Sequence, residues 1–504
     1  MKNFKILLLA LLPILLITYS CDEDKDLLAE LEAENPLPEP VTGDAGSLNL
    51  SKYVAIGNSL TAGFMDGALY TDGQNQSMPA LLAQQFQING VGGGEFNQPD
   101  INSANGFSGL DGQGNPQGRF VLSLSQQRPV PTPGELPTAF TGDKSALNNF
   151  GVPGMRIVDI SDPGLASNGL YARFASNPGT SSVLGDALSA SPSFFTYWLG
   201  NNDILGYAIG GGADESLITS QADFQTALST SLGGLVQSGA QGVVLTIPPL
   251  VLIPFFRAVP YNAIPLDEAS ATQLNAAFAG FNGALQGLAQ LSASGLVPGL
   301  VVTANDVAQR TVQYSAGANP ILMEDDALTD YSRPGGEFDI MLGAGFITAA
   351  QRAALDPFGQ ARPATSDDLP TLRAATSLGN PVGGNPQALL GISVPAPDNL
   401  ILSASEVRTV VGTRATYNAT IAGVVAQLNQ VSNGAITLVD VQPAFADLFG
   451  LSPALASFLV DPTGGANPFL ASMGQAAAAA ADGQLGIQVQ GQNLRPDFAP
   501  NGVF

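Results

Sequence analysis

Apolar and β-branched residues gather in five short runs, at residues 53–56, 147–150, 194–199, 243–247 and 436–441. Each is too short for a helix, and most run into Gly, Asn or Pro, the pattern of buried strands that end in turns. A sixth candidate strand covers 301–303. Between these runs, apolar residues recur at spacings of three and four over 80–86, 224–237, 271–291 and 409–430, which predicts helices. Strands alternating with helices argue for an α/β protein with a central parallel sheet covered on both faces. Ligands of such folds bind at the carboxyl ends of the strands.

Two regions interrupt the alternation. Residues 87–146 are rich in Gly, Asn, Gln and Pro with little periodicity, and 304–400 mix loop signals with short helical pieces. Both are expected to be insertions on one body that extends over 51–504. Residues 476–481 are a low-complexity run of alanine, a helix former.

The N-terminus has its own pattern. Two lysines precede an apolar run at 6–17, broken by Pro13 and followed by Thr18-Tyr19-Ser20-Cys21. The run falls short of the ~20 residues that span a bilayer, so it reads as an export signal over 1–21. Cys21, the single cysteine, sits where a bacterial lipoprotein signal carries its lipidated residue, and this resemblance implies a lipid anchor at the outer membrane, on its periplasmic side or at the cell surface. Acidic and Pro-rich residues complete a tether over 22–50. Its start, Asp22-Glu23-Asp24-Lys25-Asp26, is similar to the surface-export signal of Bacteroidota-type lipoproteins; a plain solvated linker has the same composition.

Composition narrows the partners. The formal net charge is −24 and no basic cluster occurs, which excludes an electrostatic footprint for nucleic acid and leaves the anchor as the membrane contact. With no histidine and one cysteine, zinc has no suitable ligand set, and no EF-hand-type loop is present for calcium. No cofactor is expected: Gly90–Phe96 (GVGGGEF) lacks the spacing of a nucleotide-binding loop.

Three motifs carry candidate chemistry, each just after a predicted strand. Gly57-Asn58-Ser59-Leu60-Thr61-Ala62-Gly63 puts a serine on a glycine-bearing turn, where a helix N-terminus would favour developing negative charge; by residue type Ser59 also suits the helix cap. Asn149-Phe150-Gly151-Val152-Pro153-Gly154 offers a backbone amide that can approach a ligand closely, or simply a turn. Leu199-Gly200-Asn201-Asn202-Asp203 ends a strand with carboxamides; one aimed at a tetrahedral intermediate contributes about 3 kcal/mol, whereas a plain turn and N-cap contributes nothing to chemistry.

In chain order and setting, these motifs resemble the blocks of the SGNH, or GDSL, hydrolase family. GNSL at 57–60 matches the first block with Asn58 in place of Asp, Gly154 the second, and GNND at 200–203 the third; the resemblance covers about 52–203. It implies a three-layer α/β/α sandwich of the flavodoxin-like kind. It further implies Ser59 as nucleophile, an oxyanion hole from the Ser59 amide, the Gly154 amide and the Asn202 side chain, and ester substrates of small molecules, glycans or lipids. The family's fourth block, DxxH, supplies the triad acid and base. No Asp in this chain has a His three residues on, neither Asp440, Asp447, Asp461 nor Asp497. The expectation is an incomplete sequence that stops just before that block, at Gly502-Val503-Phe504. The alternative is a histidine-free binding or scaffold protein on the same fold.

Overall fold

The computed structural model describes residues 42–123 and 128–451, together with 457, 459, 487–489 and 492–494. The expected signal peptide with Cys21, most of the tether and the alanine run at 476–481 lie outside the described residues. No helix among the described residues is long and apolar enough to cross a membrane.

Five parallel strands form the central sheet: β1 (Tyr53–Gly57), β2 (Asn149–Gly151), β3 (Phe194–Trp198), β4 (Gln241–Leu245) and β5 (Ile436–Val439). They correspond to the five predicted runs. Their order across the sheet is β5-β4-β3-β1-β2, parallel at every step. The chain therefore reverses its winding direction between β1 and β3, and such a reversal opens a crevice at the carboxyl ends of the strands. Register aligns those ends, with Gly57 of β1 opposite both Gly151 of β2 and Trp198 of β3.

Alternate residues of β1 enter different hydrophobic clusters. Val54 and Ile56 join Phe150, Phe195, Tyr197 and Val244 in the largest core, while Tyr53 and Ala55 pack with Phe194, Ala83 and Phe86. Burial on both faces explains why the strands read as continuous apolar runs rather than alternating ones.

Helices cover these faces. After β1 comes a single turn, α1 (Ser59–Ala62), and then α2 (Met78–Phe86), capped by Ser77. β3 leads into α3 (Asn202–Ile209), followed by α4 (Gln221–Gln237), capped by Ser220. Farther along lie α5 (Glu268–Ser294), α6 (Ala304–Arg310) and α7 (Ala404–Ser432). Apart from its capped first turn, each long helix follows its predicted period. Their true starts lie three to five residues before the predicted ones, because Ser220, Asp267 and Ser403 cap turns whose polar residues carry no apolar rhythm.

Two expectations are corrected. Residues 301–303 form no strand, because the Thr303 hydroxyl and the Asp306 carboxylate make a capping box that starts α6. The helix expected at 271–291 does not join the main core either. Phe278, Phe281, Leu285 and Leu288 of α5 pack instead with Tyr314, Phe338 and Leu355 in a second hydrophobic cluster, so this part of the chain builds its own interior. The Pro-rich region at 87–146 contains a three-stranded antiparallel sheet, with Pro129, Pro131 and Pro133 on its edge strand, where a missing backbone donor costs least.

Two contacts tie the long helices to the sheet. Phe224 of α4 stacks on Tyr417 of α7 with ring centroids 4.0 Å apart. Buried Arg414 donates to the carbonyl of Ile247 at 2.9 Å, and Asn418 both donates to that carbonyl and accepts from the Ile247 amide, which closes the chain beyond β4. Replacing Phe224 by Ala empties the space between α4 and α7, and we expect a loss of about 3–5 kcal/mol, read as a lower urea midpoint with an unchanged slope.

Candidate functional site

Three tight turns leave the ends of β1, β2 and β3, and hydrogen bonds join each to the others. Turns one and two meet where the Val152 amide donates to the Gly57 carbonyl at 3.0 Å and the Asn149 side chain donates to the Thr61 carbonyl at 3.0 Å. Turns two and three meet where Asn202 Nδ2 donates to the Met155 carbonyl at 3.0 Å and the Ile157 amide donates to the Asp203 carboxylate at 2.8 Å. Turns one and three meet through the side chains of Asn58 and Asn201, fully and almost fully buried, with Asn58 Nδ2 donating to Asn201 Oδ1.

Close packing enforces these turns. A Cβ on Gly57 would stand 1.9 Å from Thr61 Oγ1 and 2.8 Å from the Trp198 carbonyl oxygen. One on Gly151 would stand 2.4 Å from the Ala62 amide nitrogen, so α1 rests directly on β2. Gly200 adopts a φ of +113° and Gly154 a φ of +84°, both in the range that favours glycine.

The expected site residues are accordingly brought to one edge of the sheet. Ser59 is partly exposed, and no described residue hydrogen-bonds its hydroxyl. It is the first residue of α1 and not its cap. Asn58 takes that role, accepting from the Leu60 amide at 3.3 Å. The expectation that a helix dipole supports Ser59 is corrected as well, since α1 is four residues long and a single turn sums few peptide dipoles. Gly154 is exposed, with open space beside it. Asn202 begins α3 and commits one donor of its carboxamide to Met155, which fixes the side chain and leaves its second N–H for a ligand.

Asp203 is not an ordinary N-cap. It is fully buried, accepts from the Ile157 amide at 2.8 Å and from the Thr219 hydroxyl at 2.7 Å, and so locks α3 to the turn after β2. Burial pushes its carboxyl up to about 6, against the opposing pull of those hydrogen bonds and of Arg156. Asp440, just beyond β5, accepts from the Thr246 hydroxyl and the Gln442 amide at 3.0 Å each; Asp461 and Asp497 lie outside the described residues. With no histidine in the chain, no imidazole stands beside Ser59.

The partners missed in the sequence are Asn58, Asn149 and Asn201, which act as braces between turns. Only their place beside strand ends could have marked them. A second group, Asp326, Asp398 and Glu406, converges from segments far apart in the chain. Of these, only Glu406 had a local signal, the Ser403-x-x-Glu406 capping box.

No protein-family model matches the chain, and neither the curated proteins nor the solved structures yield a match.

Two outcomes test this geometry. Gly57→Ala should cost about 1–3 kcal/mol, seen as a lower unfolding midpoint, because its methyl group must displace Thr61 or the Trp198 carbonyl. Asp203 supplies a pH dependence. Its raised value means that the folded chain holds a proton that the unfolded chain releases between pH ~4 and ~6. Its contribution is therefore complete below pH ~4 and lost as pH rises through about 6, by up to about 3 kcal/mol. Asp203→Asn should flatten the fall in stability across that window in urea unfolding at pH 4 and pH 7; equal changes in both proteins would refute the assignment.

Proposed function

We propose that the chain is an exported, lipid-anchored ester hydrolase of the SGNH type, built as a three-layer α/β/α sandwich, with Ser59 as its nucleophile. The observation that carries this reading is the mutual hydrogen bonding of the three turns at the ends of β1, β2 and β3. The motifs were chosen from sequence for their chemistry, and they belong to a single edge of the sheet. The 2-1-3-4-5 strand order supports it too, since that order belongs to the flavodoxin-like class.

In this reaction Ser59 Oγ attacks the carbonyl carbon of a small-molecule, glycan or lipid ester, and the carbonyl oxygen becomes an oxyanion. The Ser59 and Gly154 amides and the free N–H of Asn202 receive that charge, held by strands that need not reorganise as it develops. The C–O bond breaks, the alcohol leaves with a proton, and water then hydrolyses the acyl-enzyme. No histidine is among these 504 residues, so this reading needs a base beyond the groups described to take the Ser59 proton.

One fact favours a second reading. A chain without histidine that keeps this constellation would serve as a binding or scaffold protein, with Gly154 and Asn202 holding a ligand that is not turned over.

Expression from the complete gene separates the two. We expect labelling by a fluorophosphonate probe and hydrolysis of p-nitrophenyl acetate, both abolished by Ser59→Ala. The 504-residue chain should be slower by at least ~10³-fold, the scale on which a triad base acts. A folded product of the complete gene that neither labels nor hydrolyses would leave the binding reading.

A further inference from the structure

At its far end from Asn202, α3 runs into Gly210-Gly211-Gly212, and this turn abuts a group of carboxylates. Gly211 and Gly212 have φ of +71° and +87°. A Cβ on Gly212 would lie 2.2 Å from Glu406 Oε1, and one on Gly211 would lie 2.4 Å from the carbonyl oxygen of Asp398. Glycine at both positions lets the backbone reach the acidic side chains. Asp326 follows the short strand Leu322–Glu324, Asp398 opens a 3-10 turn, and Glu406 belongs to the first turn of α7. One carboxylate oxygen from each of the three lies within 4.8 Å of the others.

These oxygens are not satisfied by the protein. Glu406 is 5% exposed; its Oε2 accepts from the Ser403 amide at 2.6 Å, while its Oε1 is buried without a hydrogen-bond partner. Asp398 Oδ1 is likewise buried and unpartnered. A buried acceptor left in that state costs about 1–3 kcal/mol, more when it is charged. The arginine that pairs with Asp325, the neighbour of Asp326, is engaged elsewhere. Arg362 is committed to Asp325 at 2.5 Å and to Asp368 at 2.7 Å.

We propose that Asp326, Asp398 and Glu406 bind one hard divalent cation, with calcium the ion that fits. Two oxygens bound to one calcium at about 2.4 Å are at most about 4.8 Å apart, and the three oxygens lie within that limit of one another. An all-oxygen set excludes a zinc preference, and calcium accepts an irregular shell completed by water or backbone carbonyls, whereas magnesium demands a near-ideal octahedron. The ion clamps the loop at Asp326, the turn at Asp398 and the first turn of α7 beside the glycine turn that ends α3. α3 is thus held at both ends, by Asp203 at its start and beside the ion at its finish. This assignment is independent of the ester-hydrolase reading.

The test uses the 504-residue chain after dialysis against EDTA, with calorimetric titration of CaCl2 and thermal unfolding in CaCl2, MgCl2 or EDTA. We expect one calcium per chain and a rise in midpoint of about 3 °C at a hundredfold excess over the dissociation constant, with a smaller response to magnesium. Glu406→Gln keeps the side chain's shape and its acceptor for the Ser403 amide but removes a carboxylate ligand, so it should unfold in EDTA no earlier than the parent, yet lose the calcium heat and the shift. Asp326→Asn, at the exposed side of the group, should weaken calcium binding at least tenfold and serves if Glu406→Gln fails to fold. A parent chain that shows no calcium heat would overturn the proposal. So would a calcium response undiminished in both variants, which would mark diffuse binding to a chain of net charge −24.

Discussion

Strand β1 has β3 on one side and β2 on the other, and the turns that leave these three strands are bonded to one another in every pairing. Most of what is distinctive in the molecule depends on that closure. It needs Gly57 and Gly151, because α1 and the Trp198 carbonyl occupy the space where side chains would go. It also needs buried carboxamides, because Asn58, Asn149 and Asn201 supply donors and acceptors between turns without introducing a charge. A buried charge in the same place would carry a desolvation cost that no described counterion offsets.

The same constraint explains the division of labour around α3. Its first residue, Asn202, commits one N–H of its carboxamide to the Met155 carbonyl, which fixes the side chain. Its second, Asp203, gives both carboxylate oxygens to the surrounding chain and therefore acts as a positioning residue. Rigid first-turn geometry of this kind is what a preorganised oxyanion site requires, since donors that must move to meet the charge lose most of their value. At the other end of α3, the glycine turn lies against Asp398 and Glu406, so the helix lies between two polar assemblies and is not free to rock.

The long helices support this site from behind, with Phe224 of α4 against Gly200 and Tyr417 of α7 bonded to the Thr219 carbonyl. α4 and α7 meet through Phe224 and Tyr417, and Arg414 and Asn418 carry that contact to the chain end beyond β4. α5 carries its aromatic face into the second cluster, away from the sheet. Beyond β4 the chain passes through two 3-10 turns, Leu250–Leu252 and Pro254–Phe256, whose apolar residues still join the main core, before α5 begins.

Sequence by itself determined the five strands, the long helices and the three turns, because each has a local cause: an apolar run of strand length, a period near 3.6, or glycine and asparagine after a strand. Tertiary structure decided the rest. The lateral order of strands rests on pairings between residues far apart in the chain, such as Tyr53 with Phe194 and Gly242 with Ile436, and no local period encodes it. That α5 leaves the main core was hidden because an amphipathic helix shows how wide its apolar face is and not which partner covers it. The roles of Asn58, Asn201 and Asp203 were hidden for a related reason, since a carboxamide or carboxylate after a strand reads the same whether it caps a turn or joins two. The meeting of Asp326, Asp398 and Glu406 is the clearest case, because their spacing in sequence shows no motif and only the fold brings the three carboxylates together.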